Sequence, residues 1–206
     1  LKKDFKSKIK AEVLNGIHDT SGSYLAYSKY NKLRNCIFVN TGTYFVISKK
    51  EKFRSKIQKD FYYNYGANNK LYLCKRIDAG LTYQKYNPKM INFSTQNNLN
   101  LAKKFYRNLK KKKIEKLKII TNKNQINDYM KLNFLIAFKL SSEIKKFKKN
   151  KKLIIDGIFA KNDIFNYFVK KLINFDVYII NNSFINCIGA STFFNKKQLK
   201  LNFKNL

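Results

Sequence analysis

Residues 153–172, LIIDGIFAKNDIFNYFVKKL, followed by INFDVYII at 173–180, decide the fold class. The apolar run Leu153–Asp156 is short enough for a buried strand, and it turns at Gly157. Asn162 and Asp163 are residues that open helices, and apolar positions then recur at helical spacing to about Leu172. Val177–Ile180 is a second buried strand. Strand, helix, strand within thirty residues is the signature of parallel βαβ pairing, and hence of an α/β sheet.

The same alternation extends outward. Asp128–Lys146 reads as a helix, with Leu132, Leu135/Ile136, Leu140 and Ile144 on one side, and Ser183 caps a last helix through Phe194. Asn97–Lys112 repeats Leu101, Phe105 and Leu109 at four-residue intervals, which predicts another helix. Further upstream, Cys36–Asn40 and Tyr44–Ser48 flank Thr41-Gly42-Thr43 as a hairpin. Asp60–Leu73 holds a second, Tyr-rich hairpin. Ser21–Tyr30 is helical, and Glu12–Ile17 is a strand that breaks at Gly16. Residues 1–10 are a basic lead-in. No repeat and no Pro/Gly/Ser-rich linker divides the 206 residues, so one domain is expected over 11–206.

Composition narrows the partners. The formal charge is +32, from 44 Lys+Arg against 12 Asp+Glu, which first suggests nucleic acid. Yet only Arg34, Arg54, Arg76 and Arg107 are Arg, the residue that grips phosphates bidentately. Lys, Asn, Ile, Phe and Tyr abound, Trp is absent, and Pro88 is the single Pro. All five abundant types have codons rich in A and T, so the charge reads mainly as coding bias on a solvated surface. Runs such as Lys110–Lys113 are then helix ends and loops. With 44% hydrophobic and 16% aromatic residues, disorder is excluded. Three scattered cysteines argue against a disulfide framework or a zinc site and fit a reducing, cytoplasmic compartment. They read as small core hydrophobes. No apolar run has membrane-spanning length, and no secretory signal precedes the first strand. The chain starts at Leu1, which suggests a processed product or a piece of something longer.

Three turns carry candidate chemistry. In GIHDTSG, at 16–22, Asp19 sits where a strand gives way to a helix. A carboxylate there can serve as general base toward a hydroxyl, or simply cap the helix. In NTGT, at 40–43, small hydroxyls around Gly42 can meet phosphate oxygens, or make an ordinary hairpin turn. In DGIFAKND, at 156–163, the helix start is an anion or nucleotide cradle, or a plain connection with an Asx cap. It lacks the Gly-Lys-Ser/Thr ending of a Walker A loop. His18 is the only His, and no cluster has metal-ligand spacing.

Taken in order, GIHDTSGSYLAY, FVNTGTYFVIS, LIIDGIFAKNDIFNYFVKKL and INCIGAS resemble the C-terminal domain of FGGY-family carbohydrate kinases, closest to fuculokinase-like and rhamnulokinase-like members. The resemblance runs from Gly16 to about Phe194. It implies a ribonuclease-H-like, actin-like ATPase domain, a mixed sheet with helices on both faces. It implies transfer of the γ-phosphate of Mg²⁺-bound ATP to a sugar hydroxyl. Asp19 matches the catalytic base, with His18 and Thr20 beside the substrate. Thr41, Gly42 and Thr43 match the ATP phosphate loop, and Gly157, Ala160 and Asn162 the element beside the adenosine. Gly189 and Ala190 match a closing Gly-Ala that serves packing. Ile158 departs from the second Gly of many members. The family's sugar-binding N-terminal domain has no counterpart here, so the expected partners are a sugar and that missing domain, with no membrane. Homo-oligomerisation stays open, and the chain alone is expected to be inactive. Two other readings remain: a Lys-rich RNA-associated protein, and a degenerate kinase domain kept as a scaffold.

Overall fold

The computed structural model describes residues 19–28, 35–54, 56–66, 69–87, 96–109, 125–147, 151–180, 185–191 and 203–206. The lead-in at 1–10, the strand expected over Glu12–Ile17, His18, the Lys110–Lys113 run and the cap at Ser183 lie outside these residues.

The elements are α1 (Asp19–Ser28), β1 (Ile37–Thr41), β2 (Phe45–Lys50), β3 (Phe61–Tyr65), β4 (Leu71–Ile77), α2 (Ala79–Tyr86), α3 (Gln96–Asn108), α4 (Gln125–Ile144), β5 (Lys152–Gly157), α5 (Asp163–Leu172), β6 (Asp176–Ile180), α6 (Ile185–Ser191) and β7 (Phe203–Asn205). A 3₁₀ turn, Ile158–Lys161, links β5 to α5. The strands form one sheet in the order β3-β4-β2-β1-β5-β6-β7. The β1–β5 and β5–β6 pairs are parallel, and the other four are antiparallel. The sheet is therefore mixed, as the resemblance implies.

Alternation along the strands sends side chains to two faces. On one face Ile37, Val39, Phe45, Ile47, Leu153 and Ile155 pack beneath α2, α3, α4 and α5. The opposite face carries Phe38, Tyr72, Cys74 and Ile154 beneath α1 and α6. Being covered on both sides explains why Leu153, Ile154, Ile155 and Asp156 are all buried. Helix α5 begins where Asn162 accepts a hydrogen bond from the Phe165 N–H at 3.0 Å, an Asx cap. It buries Ile164, Phe165, Phe168 and Val169 and ends on Lys170 and Lys171.

The structure differs from the sequence expectations in several places. Helix α2 and strand β7 went unpredicted, and β4 runs on to Ile77. Helix α2 is held by tertiary contact rather than by its own sequence. Its Leu81 N–H donates to the Thr43 carbonyl at 2.9 Å, and Asp78 makes no side-chain cap. Its Gly80 lies so close that a Cβ would sit 1.9 Å from the Gly42 oxygen. Cys36 and Cys74 are buried as expected, but Cys187 is exposed. In α6 the inward positions are Ile185 and Gly189, so Cys187, midway between them, points outward.

Candidate functional site

Parallel pairing sets Thr41, the last residue of β1, beside Gly157, the last residue of β5. Two of the three sequence-predicted turns therefore leave the sheet side by side, where open α/β sheets bind ligands. The two ends are fastened together. The Thr41 hydroxyl donates to the Asp156 carbonyl, and the Thr41 Oγ1 accepts from the Phe159 N–H at 3.0 Å. Gly157 has φ +84°, and a Cβ on it would lie 2.3 Å from the Thr41 oxygen. Only glycine fits that conformation and that gap.

Thr41 is buried, whereas Gly42 is half-buried and Thr43 exposed. The turn thus presents Gly42 and Thr43 outward, while the Thr41 side chain is used inside the fold. Asn162 is likewise engaged. Besides capping α5, it donates to Asn133 Oδ1 at 2.7 Å, and Asn133 donates to the Tyr129 carbonyl at 2.9 Å. Asn166 donates to the Ala160 carbonyl at 2.9 Å. These bonds hold the 158–162 segment rigidly against α4 and α5. Ile158 stands out from it, 62% exposed.

Asp19 is the first residue of α1, and its carboxylate is exposed. Oδ1 accepts from the Thr20 N–H at 2.6 Å and from the Thr20 hydroxyl at 3.2 Å. Those bonds orient the carboxylate and satisfy one N–H of the first helical turn, while the side chain stays exposed to solvent. The rest of α1 is pinned to the sheet. Tyr24 donates to Ser48 at 2.5 Å and stacks on Tyr72 with ring centroids 3.8 Å apart. Tyr27 stacks on Phe38 at 4.6 Å and donates to Asp156 Oδ2. Helix α6 crosses so tightly that a Cβ on Gly189 would lie 1.6 Å from the Gly22 oxygen.

Asp156 ends the apolar run that leads into the third turn. Its carboxyl is fully buried at the end of β5. Burial pushes it up to about 7, against the pull of the Tyr27 hydroxyl, and the charge of Asp19 pushes the same way. Oδ1 has no hydrogen-bond partner of ordinary geometry among the described residues, although neighbouring Asn40 also favours the charged form. The available signal was a carboxylate closing an otherwise apolar strand. Burial also pushes the Tyr27 and Tyr24 hydroxyls well above the ordinary tyrosine range, so both remain donors. Among the described residues no group of three or more His, Cys, Asp or Glu gathers to hold a metal ion. Nor is any described helix long and apolar enough to cross a membrane.

No protein-family model matches the chain, and no curated protein matches it in sequence. Solved structures do match in fold. A carbohydrate kinase from Novosphingobium aromaticivorans aligns with TM-score 0.65 and 14% identity, over 94% of this chain and 48% of its own. A xylulose kinase from Rhodospirillum rubrum aligns with TM-score 0.64 and 9% identity, over 94% and 46%. Plasmodium falciparum glycerol kinase with ADP aligns with TM-score 0.62 and 13% identity, over 93% and 44%. The chain therefore has the fold of about half of a carbohydrate kinase and spans about half the length of the structures it matches.

Proposed function

We propose that this chain is the nucleotide-binding half of an ATP-dependent sugar kinase. The observation that carries the reading is the fold likeness to carbohydrate kinases over 94% of this chain and 48% of the first of them. It is supported locally by the exposed Asp19 and by two turns that leave one end of the sheet together.

In this reading residues 11–206 are the C-terminal domain, and a preceding domain supplies the sugar contacts. Asp19 takes the proton of the sugar hydroxyl as its oxygen attacks the γ-phosphorus of ATP. A new P–O bond forms to the sugar, the bond to the β-phosphate oxygen breaks, and ADP leaves. Thr20 aims the Asp19 carboxylate, with His18 beside the substrate. Gly42 and Thr43 face the phosphates, and Thr41 sets the turn through its bonds to the β5 end rather than by touching phosphate. Gly157 gives the nucleotide close access to backbone, while Ala160 and Asn162 hold that wall in place. Mg²⁺ would come with the nucleotide and would supply charge neutralisation to the phosphates. The reading carries a cytoplasmic location with it.

Asp19→Ala is expected to lower kcat by about 10²–10⁴ in the full kinase containing this chain, with nucleotide KM nearly unchanged. Steady-state kinetics with both substrates varied checks this, and wild-type kcat in the variant removes Asp19 from the reaction. The chain on its own is expected to bind nucleotide weakly and to phosphorylate no sugar.

A further inference from the structure

Arg76, on β4, lies at the end of the sheet from which the two turns emerge. The pairing sets Arg76 beside Val46, Val46 beside Asn40, and Asn40 beside Asp156, one row across four strands. Residues in such a row share a face. Cys74, two before Arg76, and Ile154, two before Asp156, both pack beneath α1. Arg76 is therefore on the Asp19 side of the sheet, one row short of the Thr41–Phe45 pair that closes the hairpin.

Its guanidinium is carried by the turn itself. The Tyr44 ring lies 4.4 Å from the Arg76 Cζ, within cation–π range. Tyr62 on β3 also feels the charge of Arg76. Both rings are partly open to solvent, and Arg76 is exposed. By contrast Arg54 is engaged by Glu51 at 3.2 Å. Among the described residues no carboxylate is ion-paired with Arg76, so its charge remains available to a ligand. A planar fork held against an aromatic ring loses little freedom on meeting a phosphate, and it can bind two phosphate oxygens at once.

We infer that Arg76, carried on Tyr44, is the cation that receives the phosphate tail of the nucleotide. This rests on the nucleotide-binding reading above, and the test separates the two. Calorimetric titration of the 206-residue chain with Mg²⁺-ADP and with adenosine, at physiological salt, gives the readout. Arg76→Gln is expected to weaken ADP about 10-fold and Arg76→Lys about 3-fold, with adenosine affinity unchanged in both. Tyr44→Leu falls between them. Arg54→Gln, the same loss of charge elsewhere on the surface, is expected to change neither. Equal ADP affinity in Arg76→Gln and wild type overturns the assignment. So does an equal loss in Arg54→Gln, which marks diffuse attraction to a chain of net charge +32. If wild type binds adenosine and ADP equally, Arg76 fails while the nucleotide reading stands. If it binds neither, both fail together.

Discussion

The two faces of the sheet are built from different material. Under α4 and α5 the buried side chains are Phe134, Phe159, Phe165, Phe168, Leu140 and their aliphatic neighbours, with rings meeting edge to face. Under α1 the buried set includes three tyrosines, Ser48, Cys74 and the Asp156 carboxyl. The first face is held mainly by area and shape, with the buried amides Asn133, Asn162 and Asn166 bonded where α4 and α5 meet the 158–162 segment. The second spends buried hydrogen bonds on fixing one helix, and that helix bears the exposed carboxylate. The apolar bulk thus lies on one side of the sheet, and the hydrogen bonds that place the Asp19 helix lie on the other.

Three substitutions would break or sharpen that contrast. The largest effect is expected from Phe165→Ala, which empties a fully buried site where Phe45 and Phe159 meet. It should cost about 3–5 kcal/mol in a urea titration. A loss under about 1 kcal/mol would mean that the apolar face is not the main source of stability. Next comes Gly157→Ala, which forces a side chain into positive φ and against the Thr41 carbonyl. About 2–4 kcal/mol is expected, with nucleotide affinity falling because the β1 and β5 ends part. Unchanged stability and binding would show that the clasp is dispensable.

The smallest effect has the opposite sign. A carboxyl held near 7 in the fold, against 3.8 for the ordinary value, binds its proton more tightly when folded. Its contribution is fully present below about pH 4 and is lost as pH rises through about 7. Asp156→Asn should therefore flatten that part of the stability profile and leave the variant about 1–3 kcal/mol more stable than wild type at pH 8. Parallel pH profiles for the two proteins would contradict a buried, proton-holding Asp156.

Much of the fold was legible because strong local patterns happen to agree with the tertiary structure. β1, β2, β5 and β6 are compact apolar runs, and α4 and α5 repeat apolar residues at helical spacing. The hidden parts depend on distant partners. Nothing within 79–86 announces a helix, because its start is defined by the carbonyls of a turn nearly forty residues away. Thr41 illustrates the same limit at the site. A hydroxyl beside glycine suggests phosphate, and only the pairing of β1 with β5 reveals that it bonds to Asp156 and Phe159 instead. Asn162 could be read correctly as a cap because its partner, Phe165, is local. Asp156 could not, because its burial is tertiary and its hydroxyl partner, Tyr27, lies 129 positions earlier.

The close contacts at Gly80, Gly157 and Gly189 also bear on the history of the sequence. Every glycine codon starts with two G letters, whereas the abundant Lys, Asn, Ile, Phe and Tyr have codons rich in A and T. Only seven glycines remain in 206 residues. At three of them a single added carbon would overlap backbone oxygen. Drift in base composition could repaint the surface with lysine almost without limit. At these three positions it would meet a steric wall, and a map of tolerated changes along the chain should show them as its narrowest points.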